Sequence, residues 1–383
     1  MIPDSRRGFL KRSMAHLFTG AALLDQAMLR ATAARAQAKN ALLPALFDLQ
    51  KVAPGVYAAI AKPIPLLNCN AAIFENEKDL LIVDSHARPS AVVSLIQQLK
   101  REVGPKPVRY IVNSHFHWDH SEGNAAYKQA FPNSQIVTTE TTRNLLREFG
   151  AARAKAQVEQ AQAAVPGYRK SLAAAKTPED KAYWELMVQD SLAFASEMKT
   201  YSPELPNLTL ETDLIIHDKA HDLHLAFRGK GHTAGDVVVY CPQKKVIATG
   251  DLLHGFAPFI ADGFPRLWPQ TLRTVAGFDY NRVIGGHGAV QEGKLRAFQK
   301  AAYLEELSGE VAKLKAKGLK VDAIQKQLTP DKLKSLTKDG YAEFLMTSLS
   351  TMLLQRPGAN RAQHLAGAVA SNIADIFTTV DRT

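Results

Sequence analysis

Cysteine is scarce in this sequence, and its scarcity narrows the metal chemistry that the chain can support. Cys69 and Cys241 are the only cysteines among 383 residues, which excludes a Cys-rich zinc or iron–sulfur framework. The two lie in different halves of the chain, and we predict buried free thiols rather than a disulfide. Any metal site must therefore use histidine and carboxylate ligands.

Two further absences exclude membrane-spanning and nucleic-acid-binding proteins. The apolar stretch at residues 15–29 is short and is interrupted by His16, Asp25 and Gln26, so it is too weak to span a bilayer. Lys and Arg outnumber Asp and Glu by 47 to 37, but they form no dense clusters interleaved with aromatic residues. We predict neither stable membrane insertion nor a nucleic-acid partner.

The N-terminus has the features of an export signal. Residues 5–11 read Ser-Arg-Arg-Gly-Phe-Leu-Lys and precede the apolar stretch, which resembles a twin-arginine signal. Small residues offer cleavage after Ala36 or Ala38. We predict a signal at 1–36, the twin-arginine machinery as export partner, and a periplasmic protein. Cleavage removes six Lys or Arg and two Asp, which leaves a mature chain only mildly basic.

The pattern of the mature chain predicts an α/β sandwich. Short β-rich runs, a helix at 89–102 and a further strand at 108–112 give the β…βαβ order of a layered fold. A second β-rich part follows after residue 205. The predicted strands are 52–62, 70–74, 80–83, 108–112, 208–216, 223–228, 237–240, 246–249 and 282–284.

Two helical regions accompany the predicted strands. Residues 140–201 are rich in Ala, Gln, Lys and Glu, and we predict two or three inserted helices divided at Pro166 and Gly167. After Gly288 the pattern is helical to near the end. The predicted organisation is thus a signal at 1–36, a domain at 47–290 and a helical region at 291–383.

One cluster carries the clearest chemical signal. Directly after the strand at 108–112 comes His115-Phe116-His117-Trp118-Asp119-His120. In extended backbone, side chains at i and i+2 point the same way, so His115 and His117 can hold one metal ion. The following turn directs Asp119 and His120 toward a neighbouring ion. One short loop can therefore serve two metals.

Three further candidate ligands stand beside glycines at strand ends. His232 lies in Gly-Lys-Gly-His-Thr-Ala-Gly-Asp, Asp251 in Ala-Thr-Gly-Asp-Leu-Leu, and His287 in Val-Ile-Gly-Gly-His-Gly. Glycine permits tight turns and close backbone approach, so these side chains could converge at one edge of the sandwich.

Together with Asp84, these motifs resemble the metallo-β-lactamase fold superfamily of hydrolases over about residues 47–150 and 205–290. The resemblance implies an αββα sandwich with a dinuclear site at one edge. It implies His115, His117 and His232 on one metal, Asp119, His120 and His287 on the second, and Asp251 bridging both. Asp84 would orient the ligand loop from behind. The ligand set suits two zinc ions, with iron or manganese as alternatives.

The resemblance also implies a reaction. We predict a hydrolase that cleaves an ester, lactone, amide or related bond of a small molecule with a hydroxide held between the metals, and Asp119 as a catalytic proton acceptor. One subclass of true metallo-β-lactamases has cysteine where this chain has Asp251. The ligand set instead looks like that of glyoxalase II, lactonases and a broad periplasmic group. Three alternatives stay open: a β-lactam hydrolase, a mononuclear-iron sulfur dioxygenase, and a nonenzymatic periplasmic metal- or ligand-binding protein.

Residues near the motifs are candidates for the substrate pocket. We predict an apolar pocket wall from Trp118 and from Phe256, Phe259, Phe264 and Trp268, with the loop at 62–67 as a flap. The alternative for these aromatic residues is ordinary core packing. His217, His221 and His224 are predicted to lie at a turn rather than to bind a third metal.

Overall fold

The first of two sheets contains the strand that precedes the histidine cluster. The computed structural model describes residues 45–66, 68–352 and 354–382, so the predicted signal at 1–36 and Leu67 of the predicted flap lie outside. Seven described strands follow one another in chain order, antiparallel from β1 to β4 and parallel from β4 to β7. They are β1 Phe47–Ala53, β2 Val56–Ala61, β3 Ala71–Glu75, β4 Leu80–Val83, β5 Val108–Val112, β6 Gln135–Thr139 and β7 Leu208–Leu210.

The second sheet carries the other candidate ligands at its strand ends. Among the described residues it has six strands in the order β13-β12-β11-β10-β9-β8. Strands β11 and β12 are parallel, and the other neighbours are antiparallel. The strands are β8 Asp213–Ile216, β9 Leu223–Phe227, β10 Val237–Cys241, β11 Val246–Gly250, β12 Arg282–Gly285 and β13 Gln291–Glu292.

Alternation along the strands builds the layers. On β10, Val237 and Val239 pack between the sheets against residues such as Val112, whereas Val238 and Tyr240 face helices on the opposite side. A third buried cluster fills the space between the outer face of the first sheet and its helices. Three apolar interiors therefore separate four layers, which is the predicted αββα arrangement.

Helices cover both outer faces. Pro89 begins α1 at a position where its missing N–H costs nothing, and Val92, Leu95 and Leu99 pack on the first sheet. The second sheet is covered mainly by α6, α7 and the C-terminal helices. The described α-helices are α1 Pro89–Glu102, α2 Trp118–Ser121, α3 Asn124–Ala130, α4 Glu140–Ala174, α5 Pro178–Glu197, α6 Trp268–Val275, α7 Leu295–Ala316, α8 Val321–Gln327, α9 Lys334–Thr337, α10 Tyr341–Met352 and α11 Arg361–Thr379.

The predicted helical insertion is present, but its division was placed wrongly. Helix α4 runs through Pro166, which is exposed and removes one backbone donor without ending the helix. The break comes at Thr177, whose side chain accepts a hydrogen bond from Asp180 N while Pro178 begins α5. The inserted region is therefore a long helical hairpin.

Two predicted strands are each divided in the structure. The strand predicted at 52–62 is the end of β1, a turn at Gly55 with φ 74°, and β2. The strand predicted at 208–216 is split between the sheets, because β7 pairs with β6 and β8 pairs with β9. The two cysteines are buried and free, as predicted. Within the described part of the chain, no helix is long and apolar enough to cross a membrane.

Candidate metal centre

The parallel strands bring the candidate residues to one edge of the sandwich. Asp84 follows β4, the histidine cluster follows β5, and Asp251 and His287 follow β11 and β12. The carboxyl ends of parallel strands share an edge, so these residues meet although they are far apart in sequence. Asn70 fastens this edge, because its side-chain amide donates to the carbonyl oxygens of Gly285 and Gly288 at 3.0 and 2.8 Å.

A first group of side chains converges around His117. Its Nδ1 lies 2.9 Å from His115 Nε2 and 2.9 Å from His232 Nε2. Asp251 closes the group, with Oδ2 3.6 Å from His232 Nε2. All four residues are buried, and their ligand atoms lie within 4.8 Å of one another. Three imidazoles and a carboxylate form a donor set that suits zinc.

A second group lies directly beside the first. Asp119 Oδ2 is 3.3 Å from His120 Nε2 and 3.1 Å from His287 Nε2. Oδ1 of Asp251 faces the same two nitrogens at 3.5 and 3.6 Å. Asp251 therefore presents one oxygen to each group. The structure brings together all seven residues predicted as ligands.

Hydrogen bonds on the outer side of the histidines leave the inward nitrogens free to bind a metal. His120 Nδ1 donates to Asp84 Oδ2 at 2.8 Å. The Ser114 hydroxyl donates to the same oxygen at 2.9 Å, so His115 Nδ1 must donate to Ser114 Oγ at 3.0 Å. In the neutral rings, each of these bonds fixes the tautomer in which Nε2 carries a lone pair. Asp84 thus lies behind the ligand loop, the position that the family resemblance implies.

Asp262 supports His117, the third histidine of the loop, and no sequence motif marks Asp262 as a site residue. Asp262 Oδ2 accepts from His117 Nε2 at 2.9 Å, which leaves Nδ1 of that ring as the inward atom. Arg153 of α4 donates to both oxygens of Asp262 at 3.0 Å and stacks on the ring of Phe116. The inserted hairpin therefore helps to orient a candidate ligand.

A buried lysine contacts the backbone of Asp251. Lys300 of α7 is fully buried, and its Nζ donates to the backbone carbonyl of Asp251 at 3.2 Å. Burial lowers the pKa of Lys300 to about 7, although Asp251 and Asp236 oppose the shift. The ammonium also lies over the ring of Trp268. The C-terminal helical region thus holds the loop of the candidate bridging ligand.

The electrostatics favour inward lone pairs in the first group. Burial and neighbouring histidines lower the pKa values of His115 and His232 well below the usual range, so both rings are neutral at pH 7. In the second group, burial lowers the pKa of His120, but Asp119, Asp251 and Asp84 outweigh it and raise that pKa well above its usual value. The carboxylates thus concentrate negative charge where a second cation would bind.

Buried atoms without partners test whether a metal fits here. Among the described residues, His120 Nε2 and Asp251 Oδ1 are buried and have no hydrogen-bond partner, although both point into the second group. Unpaired buried polar atoms are costly, and two that face each other across a cluster of ligands are explained by a bound cation. Cys69 also lies near His120, but burial raises its thiol pKa to about 12, so it stays protonated.

The predicted pocket aromatics occupy different positions. Phe259 is 47% exposed, with its ring 5.5 Å from that of His117, and Phe256 lies 5.3 Å from His287. Trp118 is partly buried and packs edge-on against Phe194 of α5. Trp268 differs from the prediction, because it is fully buried under His232 and donates from Nε1 to the carbonyl of Leu252 at 3.0 Å. It belongs to the core beneath the site.

Other candidates lie apart from this centre. Leu66, at the end of the predicted flap, donates its backbone N–H to Asp190 of α5 at 3.1 Å, so that end is fixed to the hairpin. His217 forms an exposed pair with Asp222. Within the described ranges, none of the three groups of possible metal ligands includes His217, His221 or His224.

A family model described as the metallo-beta-lactamase superfamily matches residues 64–287. The chain belongs to the metallo-beta-lactamase superfamily. This confirms the family and the fold predicted from the five motifs. Members of the superfamily are mostly hydrolases and usually bind metal ions.

Solved structures of superfamily members are similar to this chain. A metallo-beta-lactamase from Pontibacter korlensis is 18% identical, with a TM-score of 0.49, and the match covers 67% of this chain and 98% of that one. The DIM-1 metallo-beta-lactamase is 15% identical, with a TM-score of 0.47, and the match covers 67% of this chain and 96% of that one.

Proposed function

We propose that this superfamily member is a periplasmic hydrolase that requires two metal ions, zinc in the first instance, and cleaves an ester, lactone, amide or related bond. One observation carries the proposal. Asp251 directs Oδ2 toward the group of His115, His117 and His232, and Oδ1 toward His120 and His287. A carboxylate with one oxygen in each of two adjacent ligand groups is the arrangement expected of a bridging ligand.

Bound divalent ions would supply a water nucleophile that is active at neutral pH and would polarise the scissile bond. The chain's own residues orient the ligands and exclude water. Asp84, Ser114 and Asp262 hold the imidazoles in the tautomers that present lone pairs inward. Burial of all seven candidate ligands keeps bulk water from weakening the electrostatic interactions at the site.

Asp119 is the proposed proton acceptor. Burial raises the pKa of Asp119, but His120 and His287 outweigh it and keep that pKa below the usual range, so the carboxylate is ionised at neutral pH. Its Oδ2 lies 3.1 Å from His287 Nε2, in the second ligand group. From there Asp119 can take a proton from the nucleophile and pass it to the leaving group.

Replacing Asp119 with alanine tests the proposal. We expect hydrolysis of a responsive substrate, from a panel of small esters, lactones and nitrocefin, to fall by about 10²- to 10⁴-fold, which is the usual contribution of a positioned acid or base. The measurement is kcat/KM together with metal content. Asp279→Ala is the control, because Asp279 is an exposed carboxylate paired with Lys245 far from the ligands. An Asp119→Ala protein with both metals and full activity would refute the role.

The periplasmic location is part of the same proposal. It is supported by the Arg6–Arg7 pair and the apolar stretch that follows, all outside the described residues. Recovery of the mature chain from the periplasmic fraction is the expected result, and recovery from the cytoplasm alone would contradict it.

A further inference from the structure

An apolar cavity of about 490 Å³ lies between the loop after Asp251 and the last two described helices. Its size falls within the usual range for small-molecule pockets. Leu345 and Met346 of α10 and Leu365 and Ala368 of α11 supply much of the apolar lining. The α11 residues recur every three or four positions and form one helix face toward the cavity. Neither helix contributes a candidate metal ligand.

The cavity adjoins the metal centre through two phenylalanines. Phe256 and Phe259 both line it. Their rings also contact candidate ligands, Phe256 at 5.3 Å from the ring of His287 and Phe259 at 5.5 Å from that of His117. A molecule in the cavity would therefore be separated from the ligand imidazoles by a single layer of aromatic rings.

Hydrogen bonds hold the loop and α11 together around this space. Asn372 donates from Nδ2 to the carbonyl of Pro258 at 2.6 Å, and its Oδ1 accepts from the Tyr303 hydroxyl at 2.9 Å. Both bonds are buried. The loop wall is thus fixed to two helices of the C-terminal region, so the cavity is formed in advance rather than by collapse around a ligand.

We propose that this cavity binds an uncharged alkyl or acyl chain of the substrate, with the scissile group extending past Phe256 and Phe259 to the metal centre. The placement of the scissile group rests on the proposed hydrolase function, whereas binding of the chain in the cavity does not depend on it. The lining supports an uncharged chain, because the lining residues that the structure describes include no Lys or Arg to pair with an anion, and the carboxylate of Asp375 would repel one. Burial beside an apolar wall disfavours the charged carboxylate of Asp375 and therefore raises its pKa.

Binding is tested without turnover. Nile red, an uncharged apolar dye, should fluoresce when bound to the mature protein, and 1-octanol should displace it. Gly367→Leu should abolish this binding, because a Cβ at Gly367 meets no heavy atom within 4 Å and the longer side chain would extend into the cavity. Ser371→Leu, one turn further along α11, is a second blocking variant. Gly309→Leu is the matched control, since Gly309 is a helical glycine with equal free space on α7, away from the cavity.

Ester hydrolysis provides the second test of the cavity. Across para-nitrophenyl esters of two to eight carbons, kcat/KM should rise by roughly fourfold for each added methylene until the cavity is full, as expected for burial of a methylene group. Gly367→Leu should flatten this rise, whereas the control Gly309→Leu should keep it. Dye binding that octanol does not displace, or that Gly367→Leu and Ser371→Leu leave intact, would overturn the proposal. Dye binding as expected with no ester hydrolysis would instead count against the hydrolase and leave the apolar site supported.

Discussion

An Asp251→Asn protein is expected to contain at most one metal ion per chain and to lose at least about 10³-fold in kcat/KM. Asp251 is the one candidate ligand that faces both groups, with Oδ2 3.6 Å from His232 Nε2 and Oδ1 3.5 Å from His120 Nε2. Asparagine keeps the shape but replaces one oxygen with an amide nitrogen that carries two hydrogens and cannot bind a cation. Mutation of a residue that only hydrogen-bonds to a metal ligand typically lowers metal affinity or activity by 10- to 100-fold. Loss of a ligand that both metals share should therefore lower activity further.

The measurement is metal content by mass spectrometry together with steady-state kinetics. Circular dichroism should show an unchanged fold, because the substitution preserves volume in a buried site. Asp279→Asn serves as the control, since it removes an exposed carboxylate. A protein that keeps two ions and wild-type kcat/KM without the Asp251 carboxylate would contradict the bridging role.

Gly286→Ala should damage the second ligand group without altering any ligand. A Cβ at Gly286 would lie 2.7 Å from Cε1 of His120 and closer still to Oδ1 of Asp251. Gly286 cannot easily move away, because its N–H donates to the carbonyl of Gly250 at 2.9 Å and its own carbonyl accepts from Asn70 N at 2.7 Å. We therefore expect displacement of both side chains, loss of the second metal and a fall of at least about 10²-fold in activity, with about 1–3 kcal/mol of lost stability from overpacking.

Gly309→Ala provides the matched comparison. The space around Gly309 is open, and alanine favours a helix interior over glycine by about 1 kcal/mol, so this variant should be slightly more stable and fully active. Thermal denaturation, kinetics and metal content of the two variants test the difference. Equal activity and equal metal content in Gly286→Ala and the wild type would show that the crowding at Gly286 is harmless.

The histidine cluster could be interpreted from sequence because its geometry is local. His115 and His117 are two residues apart after a strand, and their inward nitrogens lie 2.9 Å apart in the structure. The glycines beside His232, Asp251 and His287 indicated only that these side chains could converge, and their assignment to the two metals came from the family resemblance, because it depends on strand order across two sheets. Spacing along the chain does not encode that order.

The residues that support the candidate ligands were missed for a different reason. Asp262 and Lys300 have no motif around them, and each acts on a site residue far away in sequence, 145 positions from His117 and 49 from Asp251. Their roles follow from how a loop and α7 pack on the finished sandwich. Pro166 misled the prediction because a proline at an exposed position of a long helix removes only one backbone donor. The division lies instead after Ala174, where α4 ends, and Thr177 caps the start of α5.

Metal content of the mature protein, purified from its exported form, tests the central claim most directly. It should be measured by mass spectrometry, and hydrolysis of the responsive substrate should be followed before and after chelation and after zinc is restored. We expect about two zinc ions per chain and activity that disappears with chelation and returns with zinc. One iron per chain, oxygen consumption on a persulfide and no hydrolysis would contradict the account.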